Sequence, residues 1–269
     1  MYIGIDIGGT KTKAALVNEN AVVNKVCIPT NKDSAQFFDM LFGVIDGLLV
    51  PEVEGIGIGI AGMVEGGKLL SAFNLGLDNL DIAEAVQAKY NLPCKIMNDA
   101  ACFAIAEGFL GQTENLVYLT LGTGINVGVI NGGRLFPGAN SASLEYGQTT
   151  LFDKTVEGCV SGKALLKAAA DAGLQCDTPE EAFQKSVVIR EKFLFSLETV
   201  LVNICNTYRP QKIFIGGGLA PMVAPHIGRL GTALSTKNYG YRNAPAVSVE
   251  VSAVAADGGV LGAAMLMQI

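Results

Sequence analysis

With 269 residues, 50% of them hydrophobic and 16% charged, the chain exceeds a typical domain of roughly 100 to 200 residues and falls short of three, so two domains with a large core are expected and extensive disorder is excluded. A formal net charge of -6 without any cluster of lysine or arginine excludes the basic footprint that nucleic acids and anionic membrane surfaces require, leaving a small molecule as the expected partner. No apolar run reaches the roughly 18 residues of a membrane span, and Met1 to Gly4 does not open a signal peptide, so the cytoplasm is the expected compartment.

Tyr2 to Ile7, Lys13 to Val17 and Val22 to Ile28 run or alternate apolar, with a glycine break and an Asn18-Glu19-Asn20 turn between them, the pattern of a three-stranded meander. Ser34 to Leu49 has helical spacing, Gly55 to Ala61 reads as a glycine-rich strand, Asp81 to Tyr90 as a helix, Cys94 to Met97 as a short strand and Ala100 to Leu110 as a helix. At Asn115 the pattern restarts: strand Leu116 to Leu121, a Gly122-Thr123-Gly124 break, strand Ile125 to Ile130, a turn, and Arg134 to Phe136. Helices follow around Ser161 to Ala172, Pro179 to Val188 and Arg190 to Tyr208, then a strand Lys212 to Ile215, a helix near Pro221 to Leu234, a strand Val247 to Ala253 and a closing helix from Gly258. The repeated opening predicts an α/β fold with a duplicated mixed sheet flanked by helices. A small domain is expected over 1–113 and a larger one over 114–269, with the final helix packing back on the first.

Asp6-Ile7-Gly8-Gly9-Thr10-Lys11 places two glycines, a hydroxyl and a cation directly after a strand that ends in a carboxylate. Glycines let backbone N–H groups approach phosphate oxygens, Thr10 can donate a hydrogen bond and Asp6 can hold a hydrated magnesium ion. Alone, the loop reads equally as a tight hairpin needing positive φ. Gly122-Thr123-Gly124 supplies the same parts at the head of the second half, and Gly216-Gly217-Gly218 is a third glycine loop, between a strand and a helix. Neither a Walker loop nor a Rossmann fingerprint is present. Asn98-Asp99, between a strand and a helix, reads as an N-cap and, compatibly, as a carboxylate able to take the proton of an attacking hydroxyl. The six cysteines stand singly without a CxxC pair and read as reduced thiols, while His226, the one histidine, reads as a surface or packing residue.

Together these motifs resemble the ROK family, which groups bacterial sugar kinases with related repressors inside the actin-like and hexokinase superfamily. Asp6 to Lys11 is similar to the family's DIGGTK phosphate loop, Gly57 to Val64 to its sugar-side strand and turn, and Asn98-Asp99 to the position of its catalytic base. Gly122 to Gly124 matches the second phosphate loop, Gly216 to Gly218 the adenosine-side loop, and Asn74-Leu75 an Asn-Leu element whose asparagine touches the sugar. The resemblance runs nearly end to end and implies a two-lobed actin-like ATPase fold of the ribonuclease H-like type. It implies transfer of the γ-phosphoryl group of ATP, with Mg2+, to a hydroxyl, often the 6-hydroxyl, of a hexose or amino sugar such as glucose or N-acetylmannosamine. In that frame Asp99 is the base and Asp6 holds magnesium through water. Gly8, Gly9, Thr10, Lys11, Gly122, Thr123, Gly124, Gly216, Gly217 and Gly218 hold the nucleotide, and Gly62, Asn74, Asn98, Asp99, Glu145 and Gln148 face the sugar. A homodimer through the second lobe is implied as well.

The chain departs from the family at Glu145-Tyr146-Gly147-Gln148, where Glu-Ile-Gly-His is common, and the cysteine cluster that binds structural zinc is reduced to Gly158-Cys159. No zinc is therefore expected. A second glutamate after the Gly-Cys pair is replaced by Val160-Ser161-Gly162, which leaves Glu145 as the surviving acidic sugar ligand and Gln148 as a neutral replacement. The alternative reading is a non-catalytic, sugar-binding or regulatory descendant. Against it, a strand starting at Tyr2 leaves no room for a helix-turn-helix ahead of the phosphate loop, and a silent sugar binder would have little need for Asp6, Thr10, Thr123 and Asp99 together.

Overall fold

The computed structural model describes residues 1–138, 142–237, 246–254 and 257–269. The chain divides into two compact units, one made of Met1–Gln112, Leu135–Leu144 and Val254–Ile269, the other of Thr113–Arg134 and Glu145–Ala253.

The first unit opens on strands β1 (Tyr2–Ile7), β2 (Lys11–Asn18) and β3 (Ala21–Pro29), an antiparallel meander. Glu19 and Asn20 turn between β2 and β3 with φ of 48° and 64°, the left-handed pair that a two-residue hairpin favours. Helix α1 (Phe37–Asp46) leads to β4 (Gly55–Ile60), which pairs parallel to β1. Strands β5 (Met63–Glu65), β6 (Lys68–Ala72) and β7 (Leu77–Leu80) form a small sheet of their own that the sequence pattern did not reveal. Helix α2 (Ile82–Tyr90), strand β8 (Cys94–Asn98), parallel to β4, and helix α3 (Asp99–Leu110) complete this stretch. The main sheet runs β3-β2-β1-β4-β8.

The second unit repeats that order. Strands β9 (Leu116–Leu121), β10 (Ile125–Asn131) and β11 (Arg134–Leu135) open a sheet of order β11-β10-β9-β14-β15. Between come a hairpin of β12 (Thr150–Leu151) and β13 (Lys154–Thr155) and the helices α4 (Val156–Cys159), α5 (Gly162–Asp171), α6 (Pro179–Lys185) and α7 (Val187–Tyr208). Strand β14 (Lys212–Gly216) is parallel to both β9 and β15 (Ser248–Val251), as β4 is to β1 and β8. Ser186 accepts from the Ile189 amide at 3.3 Å, so Val187 and Val188 begin α7 and do not end α6 as the spacing suggested. The helix expected near Pro221 to Leu234 is broken into α8 (Ala220–Val223), a 3-10 turn Ala224–His226 and α9 (Ile227–Lys237), because Pro225 has no amide to continue the ladder.

Helix α10 (Gly258–Met265) returns to the first unit. Ile3, Ile5 and Ile7 of β1 and Ile56, Ile58 and Ile60 of β4 point to one face, where they pack with Phe37, Leu41 and Ile45 of α1 and Ile82 and Val86 of α2. On the other face Gly4 and Gly57 lie side by side in register. A methyl group on Gly4 would collide with the Val260 carbonyl and one on Gly57 with the Ala263 carbonyl, so the alternating glycines form a floor on which α10 lies at backbone distance. No helix among the described residues is long and apolar enough to cross a membrane.

Candidate active site

Asp6 stands at the end of β1, opposite Lys13 on β2 and Gly59 on β4. The loop does join β1 and β2 as an antiparallel hairpin, but neither Gly8 nor Gly9 has a positive φ, so the glycines are not there for a left-handed turn. The loop is held by hydrogen bonds: the Gly8 amide donates to the Lys11 carbonyl at 3.0 Å, and the Thr30 amide to the Thr10 carbonyl at 3.0 Å. The Thr30 hydroxyl donates to the Gly8 carbonyl at 2.7 Å and lies 3.0 Å from the Thr12 hydroxyl. Thr10 and Lys11 are left exposed, and a methyl on Gly9 would stand 3.9 Å from Cβ of Asn74, which places that asparagine beside the loop. Thr30, which no local motif marks, is the residue that fixes the loop's shape.

Asp99 is the first residue of α3, and the N-cap is Asn98, whose Oδ1 accepts from the Ala100 amide at 2.9 Å. Asn98 Nδ2 donates to the Gly62 carbonyl at 3.0 Å. A side chain at Gly62 is impossible without rearrangement, since a methyl would stand 2.8 Å from both Leu69 Cδ1 and the Ser71 carbonyl. The capping role read for Asn98-Asp99 thus falls chiefly to Asn98, although Asp99 Oδ1 also accepts from the Ala100 amide at 2.9 Å. Burial raises the Asp99 carboxyl above its ordinary range, against the Ala100 amide and Asn98, which favour the charged form. Asp6 is pushed up to about 7, first by burial and then by the Asp99 charge, with Lys13 opposing. The same two carboxylates, added to burial, hold the Cys102 thiol well above its usual value. In the first turn of α10 a methyl on Gly259 would stand 2.6 Å from Asp6 Oδ2. Within this unit the fold therefore brings Asn74 beside the Gly8 to Lys11 loop, ties Asn98 to Gly62, and sets the Asp99 charge close enough to act on Asp6.

In the second unit the Gly122 amide donates to the Gly124 carbonyl at 2.9 Å, closing the loop, and the loop rests on the first turn of α5. There the Gly162 amide donates to the Gly122 carbonyl at 2.8 Å and the Lys163 amide to the Thr123 carbonyl at 3.3 Å. Ser161 caps the helix, its Oγ accepting from the Ala164 amide at 3.0 Å. Gly216 to Gly218 adjoin this loop: a methyl on Gly122 would stand 3.8 Å from the Gly218 nitrogen, and the Leu219 amide donates to the Leu121 carbonyl at 2.9 Å. Gly217, at φ +88° and pressed against the Leu121 backbone, admits no other residue.

Glu145 precedes a 3-10 turn, Tyr146–Gln148, anchored by the Tyr146 amide donating to Asn126 Oδ1 at 3.1 Å and by Gly147 packed on the Ile125 carbonyl. Helix α4 packs on that turn and carries Glu157, whose carboxylate lies so close to Gly124 that any side chain there would overlap it. A second carboxylate, Glu157, thus stands directly at the second loop, beside the Glu145 that the sequence singled out as the surviving acidic ligand. The signal was legible in Glu157-Gly158-Cys159-Val160-Ser161-Gly162, a carboxylate on a short helix just ahead of a serine-capped one. The neighbouring Gly158-Cys159 pair draws the eye away from it; Cys159 Sγ faces the Leu151 carbonyl at 3.7 Å. His226 packs edge-on against the Phe183 ring, with centroids 5.6 Å apart.

Comparison with known proteins fits this arrangement. The model of the ROK family matches residues 2–269. A glucokinase of Halalkalibacterium halodurans is 27% identical over 265 aligned residues, which cover 81% of this chain and 80% of that protein. An N-acetylmannosamine kinase of Salmonella paratyphi A is 25% identical over 291 aligned residues, 99% of this chain and 98% of that one. The crystal structure of a ROK family glucokinase from Streptomyces griseus in complex with glucose and AMPPNP superposes with a TM-score of 0.80 at 21% identity over 98% of both chains, which gives the fold as the actin-like ATPase fold. With one family model spanning both sheets and every glycine loop described above, the chain belongs to the ROK family.

Proposed function

We propose that this protein is an ATP-dependent sugar kinase that moves the γ-phosphoryl group to a hydroxyl, taken here as the 6-hydroxyl, of a hexose or amino sugar. The observation that carries the reading is Asp99, a carboxylate at the start of α3 with a raised proton affinity, oriented through the Asn98 side chain and its bond to the Gly62 carbonyl. A carboxylate more basic than usual is suited to take the proton of the attacking hydroxyl. Asp6 and Asp99 crowd two negative charges together, a donor set that a divalent cation would relieve, so the residues present fit Mg2+ held by Asp6 through water. Bound there, the ion neutralises charge on the phosphates of ATP.

In this reading the exposed Thr10 and Lys11, with the backbone of Gly8 and Gly9, bind phosphate oxygens, as do the amides of Gly122, Thr123 and Gly124, while Gly216 to Gly218 border the adenosine. Asn74, Asn98, the Gly62 carbonyl, Glu145 and Gln148 orient the sugar, and Glu157 joins them as a second carboxylate able to accept hydroxyl hydrogen bonds. Activity without zinc, a homodimer through the second unit and a cytoplasmic setting belong to the same proposal. Measuring ADP release with Mg-ATP across hexoses, amino sugars and glycosides tests it. Sugar-dependent ADP is expected; sugar binding without any turnover would make the protein a regulatory descendant of the family instead.

A further inference from the structure

Lys163 is the second residue of α5, and its amide donates to the Thr123 carbonyl at 3.3 Å, beside the 2.8 Å bond from Gly162 to Gly122. Gly162 brings the helix in close, since a methyl there would stand 3.0 Å from the Gly122 carbonyl oxygen. The root of the Lys163 side chain is thereby tied to the second phosphate loop. Its Nζ lies 4.0 Å from Glu157 Oε1, and Glu157 itself lies against Gly124. That spacing is wider than a direct charge-assisted hydrogen bond of about 2.7 to 2.9 Å, and wider than the 3.0 Å of Lys185 with Glu181 in the same unit. Lys163 is 47% exposed against 28% for Glu157, so the ammonium is the more solvent-accessible partner of the two.

We propose that Lys163 is a phosphate-binding residue whose ammonium turns from Glu157 to a phosphate oxygen of the nucleotide on Gly122 to Gly124, leaving Glu157 to the sugar. The assignment rests on the kinase reading and adds to it a cation that none of the glycine motifs marks. A lysine on a flexible stem acts on phosphate as a point charge, and a polyphosphate carries more charge than the single carboxylate it replaces. Lys163 therefore senses the phosphates and not the adenosine.

Calorimetric titration of adenosine, ADP and AMPPNP with magnesium, into the wild type and the variants Lys163→Gln, Lys163→Arg and Lys167→Gln, tests this. Lys163→Gln should weaken AMPPNP about tenfold or more, the scale of one hydrogen bond to a charged group, and leave adenosine unchanged. Lys163→Arg should recover most of the loss. Lys167→Gln, one turn along α5 and paired only with solvent-exposed Asp171 in its ion pair, should bind all three as the wild type does. Equal affinity of Lys163→Gln and wild type for AMPPNP would overturn the assignment, as would an equal loss for adenosine, which marks a distorted loop. A wild type that binds no adenine nucleotide would remove the kinase reading and this assignment together, whereas a wild type that binds while Lys163→Gln is silent removes Lys163 alone.

Discussion

Asn98 donates its side-chain amide to the carbonyl of Gly62 at 3.0 Å, and with the other end of the same amide it caps α3. The start of the helix is thus fastened to the turn that follows β4, and Asp99, one residue on, inherits a fixed position without being the cap.

Asp99→Asn should accordingly leave the helix intact and lower kcat by roughly 10²-fold or more, with ATP affinity near that of the wild type. Removing a carboxyl whose charged form is disfavoured by burial should also keep the melting temperature at or above the wild-type value. Steady-state kinetics paired with a thermal melt measure both, and a folded variant that retains most of its turnover would sink the catalytic role of Asp99.

Thr30→Val keeps the shape of the side chain and removes the hydroxyl that donates to the Gly8 carbonyl. The expected cost is about 1 to 2 kcal/mol of stability for the abandoned carbonyl, together with a several-fold rise in KM for ATP as the first phosphate loop loosens. Thr30→Ser should restore both. Urea melts and initial rates report the result; an unchanged KM in the valine variant would mean that the backbone bonds alone hold the loop.

The pH dependence follows from Asp6. Its folded-state value of about 7 lies above the 3.8 of the free group, so between those values the folded protein holds a proton that the unfolded chain has released. Stability therefore falls as pH rises through that window, at about 1.4 kcal/mol per pKa unit in the general conversion. Asp6→Asn escapes the penalty. In melts without magnesium the variant should gain on the wild type from pH 4 to about pH 7 and level off by pH 8, and millimolar Mg2+ at pH 8 should raise the wild-type melting temperature alone. Parallel melting curves for the two proteins across that range would contradict the argument.

Glu145→Gln and Glu157→Gln should each raise the sugar KM about tenfold or more, because an amide replaces a carboxylate poorly as acceptor for two hydroxyls. The two variants differ in their effect on the nucleotide. Glu157→Gln removes the carboxylate near Lys163 and should leave ATP binding equal or tighter, whereas Glu145→Gln should not alter it. A sugar KM unchanged in either variant takes that residue out of the sugar site.

Much of this was legible in the chain itself, since strands punctuated by glycine loops carry their own periodicity. The two sheets, the glycine loops and Asn98-Asp99 were read because each signal lies within a few residues. What escaped lies in tertiary pairing. Strands β5 to β7 are three to five residues long and, among the described residues, pair as strands with one another alone, so no amphipathic run announces them. Thr30 reaches a partner 22 residues away, and nothing around it marks the destination. Glu157 was hidden by a neighbouring Gly-Cys pair that attracted a different explanation. The glycines of Gly55–Ile60 read correctly as a strand, yet their purpose depends on a helix that comes some two hundred residues later.

That seam between α10 and the glycine floor bears on how the protein is born. The ribosome delivers β1 and β4 early, but the helix that covers Gly4 and Gly57 follows only after the whole second unit has been translated. At about 5 to 20 residues per second, the bare trough is exposed for many seconds in each new chain. The nascent protein thus carries an uncovered backbone groove until its last residues emerge, and a messenger broken before the codons for α10 would leave the first unit without the helix that covers Gly4 and Gly57.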